Sequence, residues 1–300
     1  MSRLPRTDLL IKAARTKSLN KDYGENYGLE DDFFLTSIRQ AVTEIQSYLV
    51  GQFIELNSQY YTYTCVPGQE AYALPWDLFS DNLVYGIDYS YTGGTENYVG
   101  LSKMAFRDFY NGGHPERFAI DGNNFYLDFA PTSSSAKLRL RYEKRIARAD
   151  LVRGIVSSYS GTSLNLSSTS LDTTAFETTP EYVCVCNRRG ESKMANLPVQ
   201  SWDSSNNLLT IYSDFVAKDG ESIAAGDFVT IGEDTTTHIE LFPVCENYII
   251  EYAKNEAYES QSSEDQGVSN PKLEKLMQRI ASVYEYNSGG KTPIVERRDD

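Results

Sequence analysis

Residues 31–56 read DDFFLTSIRQAVTEIQSYLVGQFIEL. Phe34, Ile38, Ala41, Val42, Ile45, Leu49 and Phe53 recur three or four apart, so this stretch forms a helix with one apolar stripe. Asp31 and Asp32 at its start complement the positive end of the helix dipole. A stripe of this length has to be buried against other elements, and what the rest of the chain offers it sets the fold class.

Moving towards the N-terminus, Thr7 or Asp8 can cap a short helix to about Lys17, with Leu9, Leu10, Ile11, Ala13 and Ala14 supplying its apolar residues. Moving the other way, residues 59 to 145 read as β structure. Gln59 to Val66 alternates aromatic and β-branched residues before a turn at Pro67-Gly68. Tyr72 to Leu74 stops at Pro75, and Leu83 to Tyr91 is a further strand. Leu101 to Tyr110 reads as a short helix closing at Gly112-Gly113. The clearest hairpin runs Arg117 to Ile120, turns at Asp121-Gly122-Asn123-Asn124 and returns through Phe125 to Phe129. Leu138, Leu140 and Tyr142 then alternate with Arg139 and Arg141, the period-two pattern of a half-buried strand.

From Leu151 to Leu241 the composition shifts to Ser, Thr, Asn and Gly. Ser157 to Ser163 and Ser167 to Thr174 read as linkers, and Trp202 to Asn207 as a hairpin loop. The strands expected between them are Val152 to Val156, Tyr182 to Cys186, Leu208 to Tyr212 and Phe228 to Ile231, which together describe a small β-barrel or sandwich. Helical spacing returns with Tyr248, Ile249, Tyr252, Ala253 and Ala257. A second helix starts at Ser269-Asn270-Pro271, with Pro at the first helical position, and carries Leu273, Leu276, Met277, Ile280 and Tyr284. Ser288-Gly289-Gly290 ends it.

The expected fold is therefore α+β. Residues 1–150 and 242–288 form a core in which the terminal helices pack on one another beside a β-rich segment. Residues 151–241 form an inserted β domain, and 289–300 a C-terminal tail.

Composition narrows the function classes. A content of 40% hydrophobic and 23% charged residues is that of an ordinary globular chain. There are 22 Tyr against four Met, which suits either repeated subunit interfaces or plain strand formation. The formal charge of −14 argues against tight nucleic-acid binding, because phosphate neutralisation needs a basic face. It fits a surface past which DNA slides without sticking, and equally a need for solubility. No apolar run is long enough to span a bilayer and no signal-peptide core opens the chain, so neither secretion nor membrane insertion is expected.

No catalytic constellation emerges. Phosphate-binding and dinucleotide glycine loops are missing, as is the nucleophile elbow. The two histidines, His114 in a Gly-Gly-His-Pro turn and His238 at a strand entry, stand far apart in sequence and read as structural or exposed. Cys184 and Cys186 would share one face of a strand as small buried side chains, and the spacing of Cys65, Cys184, Cys186 and Cys245 is not that of a zinc site. Asp121, Asp128, Asp214, Asp227 and Glu233 read as turn and strand-end residues rather than as a glycosidase pair. Neither an enzyme nor a bound metal or cofactor is expected.

The order of elements resembles the head-to-tail adaptor proteins of short-tailed phages, including those of crAss-like phages. The resemblance rests on Thr7 to Ala13, the 31–56 helix, Tyr72-Ala73-Leu74-Pro75, the Pro115 to Gly122 hairpin, Leu127 to Pro131, the Leu138 to Tyr142 strand, and the helix bearing Glu246, Tyr248, Ile249 and Tyr252. It covers roughly 7–146 and 243–287; residues 151–241 have no counterpart in a minimal adaptor.

The resemblance implies a structural subunit of the virion neck, assembled in the host cytoplasm. Twelve copies would form a ring beneath the portal protein, dock further tail or ring proteins, and let DNA pass through the channel without specific binding. It also implies a C-terminal segment that reaches the portal, here Lys291, Thr292, Pro293, Ile294, Val295, Glu296, Arg297 and Arg298. Strand addition or groove insertion is the expected mode. The Ser/Thr/Asn-rich 151–241 block leaves a competing expectation open, a phage tail or capsid-associated protein with a carbohydrate-binding β domain.

Overall fold

A computed structural model of the chain describes residues 5–18, 30–52, 54–92, 97–109, 116–171, 181–212, 222–260 and 270–287. It divides into two compact units, Met1–Ile54 together with Ile146–Asp300, and Glu55–Arg145. Among the described residues no helix is long and apolar enough to cross a membrane.

The first unit opens with α1 (Thr7–Ser18) and α2 (Asp31–Gly51). The α2 stripe is the expected one, with Phe34, Ile38, Ala41, Val42, Ile45 and Leu49 all buried. The helix stops at Gly51, short of Leu56, because the Ile54 amide donates back to the Leu49 carbonyl and closes the last turn. Phe53 lies outside the described residues.

The second unit is a seven-stranded sheet. Its strands are β1 (Ser58–Thr64), β2 (Ala71–Ala73), β3 (Val84–Ser90), β4 (Val99–Met104), β5 (Arg117–Asp121), β6 (Asn124–Leu127) and β7 (Lys137–Glu143). They lie in the order β1-β7-β3-β4-β5-β6-β2, antiparallel throughout except for β4 beside β5. Only α3 (Phe106–Phe109) is helical where a helix over Leu101 to Tyr110 was expected; Leu101 to Met104 instead pair with β3 and β5. Helix-like spacing over so short a run yields to the hydrogen bonds of two waiting neighbours.

The hairpin turn is tighter than expected, with Gly122 at φ 55 and Asn124 already paired to Asp121. Leu138, Leu140 and Tyr142 of β7 point into a core with Ile87, Phe118, Phe125 and Leu127. Each such side chain removed from water contributes roughly 1.5–3 kcal/mol. Tyr63 of β1 packs edge-on against Tyr72 of β2 and Phe125 of β6, so the first and last strands of the order curl towards each other.

Back in the first unit, β8 (Arg148–Ala149) pairs in parallel with β15 (Thr235–Thr236). Between them β9 (Gly154–Ser160), β10 (Ser163–Thr169), β11 (Tyr182–Cys186), β12 (Ser192–Asp203), β13 (Leu208–Ile211) and β14 (Phe228–Ile231) close into a barrel, order β10-β13-β12-β11-β14-β9. Of the two β architectures expected for this block, the barrel is the one formed. Ser157 to Ser160, Ser163 and Ser167 to Thr169 lie in strands where linkers were expected: in β10 Leu164 and Leu166 point inward while the alternate Ser and Asn residues meet solvent.

Val156, Leu164, Val183, Val185, Val199, Leu209, Ile211 and Val229 fill the barrel. Gly154 makes room for this packing, since a Cβ there would stand 2.7 Å from Leu166 Cδ1 and the leucine would have to shift. Cys184 and Cys186 do share a face, on the outside of the barrel, buried under the 232–237 segment. The Cys184 sulfur lies 3.4 Å from the Gly232 carbonyl oxygen, and that of Cys186 lies 3.4 Å from Thr237 Oγ1.

The chain ends with α4 (Glu246–Glu259) and α5 (Pro271–Asn287). The Lys272 amide donates to Asn270 Oδ1 at 3.1 Å, which caps α5 as the Asn-Pro start implied. The terminal helices pack on one another as expected, α4 lying against α1, α2 and α5. Buried Asp150 ties helix to barrel: its carboxylate accepts from Arg153 and from the Ile231 amide at 2.9 Å each, with Arg39 of α2 3.7 Å away.

Candidate interaction surface

The residues singled out by sequence divide sharply. Lys291 to Arg298 and His114 lie outside the described residues. His238 is buried, its Nδ1 2.9 Å from Thr237 Oγ1. Burial pushes the Cys245 thiol up to about 12, against a lowering hydrogen bond from Tyr284, and raises those of Cys65 and Cys186 as well. Asp227 closes the turn before β14, as expected of a strand-end residue: it is buried, and its Oδ2 accepts from the Ala224 amide at 2.7 Å and from Lys193 at 2.9 Å. Among the described residues no group of three or more His, Cys, Asp or Glu could hold a metal ion.

What the structure does assemble is a surface. Among the described residues eleven large hydrophobic side chains are exposed, and seven of these belong to Glu55–Arg145: Tyr60, Tyr61, Val66, Trp76, Tyr85, Tyr91 and Val99. That is a concentration of exposed apolar side chains, in less than a third of the chain, on and beside the curled sheet.

The outer face of the sheet carries its most ordered part. Because Leu138 and Leu140 point inward, Lys137, Arg139 and Arg141 line the opposite side of β7. The Arg139 guanidinium lies between two rings, 4.8 Å from the Tyr60 centroid and 4.4 Å from that of Tyr98. It also donates to Asp88 at 2.8 Å, and that hydrogen bond raises its pKa further. Arg141 lies over Tyr85 at 5.6 Å and is ion-paired with Glu55.

At the end of this row, on the same face of β7, sits Glu143, fully buried. One of its oxygens accepts from the Asn57 amide at 2.8 Å and the other from the Tyr85 hydroxyl at 2.9 Å. Burial and the Glu143 charge together drive the Tyr85 pKa well above the usual tyrosine value, so the phenol stays a donor. The rings and guanidinium planes are thus fixed before any partner arrives, which lowers the ordering cost of binding. Tyr and Arg are also the side chains that dominate binding energy at protein interfaces.

Sequence reading found Arg139 and Arg141 as the polar half of a strand but missed their aromatic partners. Tyr60 and Thr62 do alternate outward in β1. Only the non-local pairing of β1 with β7 and of β3 with both β7 and β4 brings Tyr60, Tyr85 and Tyr98 to the arginines.

A search of curated proteins finds no match. The model of one family, described as SU10 adaptor protein, matches residues 7–159, from the first residue of α1 into β9. That match spans the ordered motifs that resemble head-to-tail adaptors in the first half of the chain, together with α2 and the whole curled sheet, and the chain belongs to the SU10 adaptor protein family.

Proposed function

We propose that this protein is a head-to-tail adaptor of a tailed phage, a structural virion subunit that associates with other phage structural proteins. In this reading twelve copies form a ring beneath the portal, extend the DNA channel and offer a docking surface to tail proteins. The family match over residues 7–159 carries the reading, and the exposed, prearranged Tyr–Arg face supports it by supplying a surface built for protein contact. The charge of −14 suits a channel that DNA crosses without adhering.

Residues 1–150 with 242–288 serve as the adaptor core in this reading. Residues 151–241 act as a peripheral arm, and Lys291 to Arg298 order on the portal by strand addition or groove insertion.

Mixing the purified protein with portal rings and imaging the product by electron microscopy tests the function. A ring of adaptor density on one face of the portal is expected, and deletion of residues 289–300 is expected to weaken its retention. A protein that stays unbound at micromolar concentration, with or without the deletion, would sink the reading.

A further inference from the structure

The Tyr–Arg face stands out electrostatically in a chain whose formal charge is −14. Lys137, Arg139 and Arg141 stand in line on one strand; the exposed carboxylates beside them are two, Asp88 and Glu55, and the third, Glu143, is fully buried. Two copies of such an acidic chain repel each other over most orientations. They attract only where a locally basic face of one meets an acidic face of the other.

The chain also carries the complementary feature. In the helix-and-barrel unit, a cleft of about 560 Å³ is rimmed by Asp8, Glu30, Asp31 and Asp32, with Leu151 and Val152 as its apolar lining. Asp31 and Asp32 keep 50% and 74% of their side-chain surface exposed despite ion pairs to Arg15 and Arg153. Four carboxylates outnumber the two arginines of the lining, Arg6 and Arg153, even with Arg15, the partner of Asp31, counted beside them, so the cleft is acidic with an apolar patch. Basic and aromatic on one side, acidic and apolar on the other, the two surfaces match in charge and in polarity.

Resting on the adaptor reading, the geometry points to a specific contact between neighbouring copies: the Tyr–Arg face of the curled sheet on one copy docks against the Asp8–Asp32 cleft of the next. The two patches differ, so the contact is head-to-tail in the sense of heterologous, the kind that builds rings rather than two-fold pairs. The aromatic rings supply buried area and the charges supply register and rate of encounter.

A charge exchange tests it. One variant carries Arg139→Glu and Arg141→Glu, a second carries Asp31→Lys and Asp32→Lys, and assembly is read by electron microscopy and mass photometry on portal rings. Each variant alone places like charges across the contact and is expected to lose ring formation at least tenfold. Mixed in equal amounts they restore attraction at every contact, so alternating rings are expected to form. Lys137→Glu, which reverses a charge outside both arginine ion pairs, repeats the first arm should Arg139→Glu disturb folding, as judged by its melting curve.

Rings from either charge-reversed variant alone, or no recovery on mixing, would overturn the contact and leave the adaptor reading standing. If the unaltered protein forms no ring on the portal, the adaptor reading falls and the contact with it.

Discussion

Gly190 shows how a single residue holds the first unit together. Its φ is +85, and a Cβ built there would come within 2.3 Å of the His238 Cβ. Buried His238 therefore needs a glycine opposite it. Gly68 has nearly the same φ, +82, with nothing within 4 Å. Gly190→Ala is expected to lower stability by about 3 kcal/mol or more, whereas Gly68→Ala loses only the backbone term of ~1 kcal/mol. Urea unfolding of the two variants separates steric from conformational cost; equal losses would contradict the account. Asp150 makes the corresponding polar case. Asp150→Asn keeps the shape but leaves Arg153 and Arg39 without their buried anion, so a loss of about 3 kcal/mol is expected in the same assay. Neither role was legible in sequence, since Gly190 and His238, or Asp150 and Ile231, meet only through the barrel's closure.

At the scale of elements, the terminal helices are joined by one carboxylate. Glu251 of α4 is buried and lies 3.6 Å from Lys17 of α1, 3.2 Å from Lys254 and 2.8 Å from Lys272 of α5. Burial alone would raise its pKa, but the hydrogen bonds from Lys272 and Lys254 outweigh it and hold the carboxyl below its ordinary value. A folded pKa below the unfolded one means the contribution is complete above the unfolded value and is lost as pH falls through the folded value. Glu251→Gln should therefore cost ~1–2 kcal/mol at neutral pH and progressively less below about pH 4. Parallel melts across that range check it, and a pH-independent difference would contradict it.

The barrel gives a second element-scale test. Leu209 is fully buried inside it, and Leu209→Ala is expected to cost 2–5 kcal/mol in chemical denaturation, or roughly that range. The helices were readable because their apolar residues lie close together in the chain, as in Phe34 to Leu49. β10 was not, because Leu164 and Leu166 are its only inward apolar pair and the Ser-rich stretches on either side, up to Ser163 and from Ser167, read as linker.

For the whole molecule, the α+β architecture, the helices α1, α2, α4 and α5, and the β character of 151–241 could be read from periodicity and turn residues, whereas β4, β10 and β12 could not. The chain's grouping into compact units could not. Cα packing sets Glu55–Arg145 apart and joins the barrel to the helices, a result of contacts such as Arg39 with Ala149 that no local pattern records. The Tyr–Arg face was likewise hidden until β1, β7, β3 and β4 were seen side by side. What sequence did supply was the ordered set of motifs from Thr7 onward, and the family match falls on them.

The central claim is that this chain is a connector subunit of a phage neck. A cryo-electron microscopy map of the virion, reconstructed locally at the tail vertex, tests it most directly. The account predicts a closed ring of this fold immediately beneath the portal, with both compact units fitting the density of every copy. Finding the protein instead in fibres or on the capsid lattice, with a different chain occupying that ring, would contradict it.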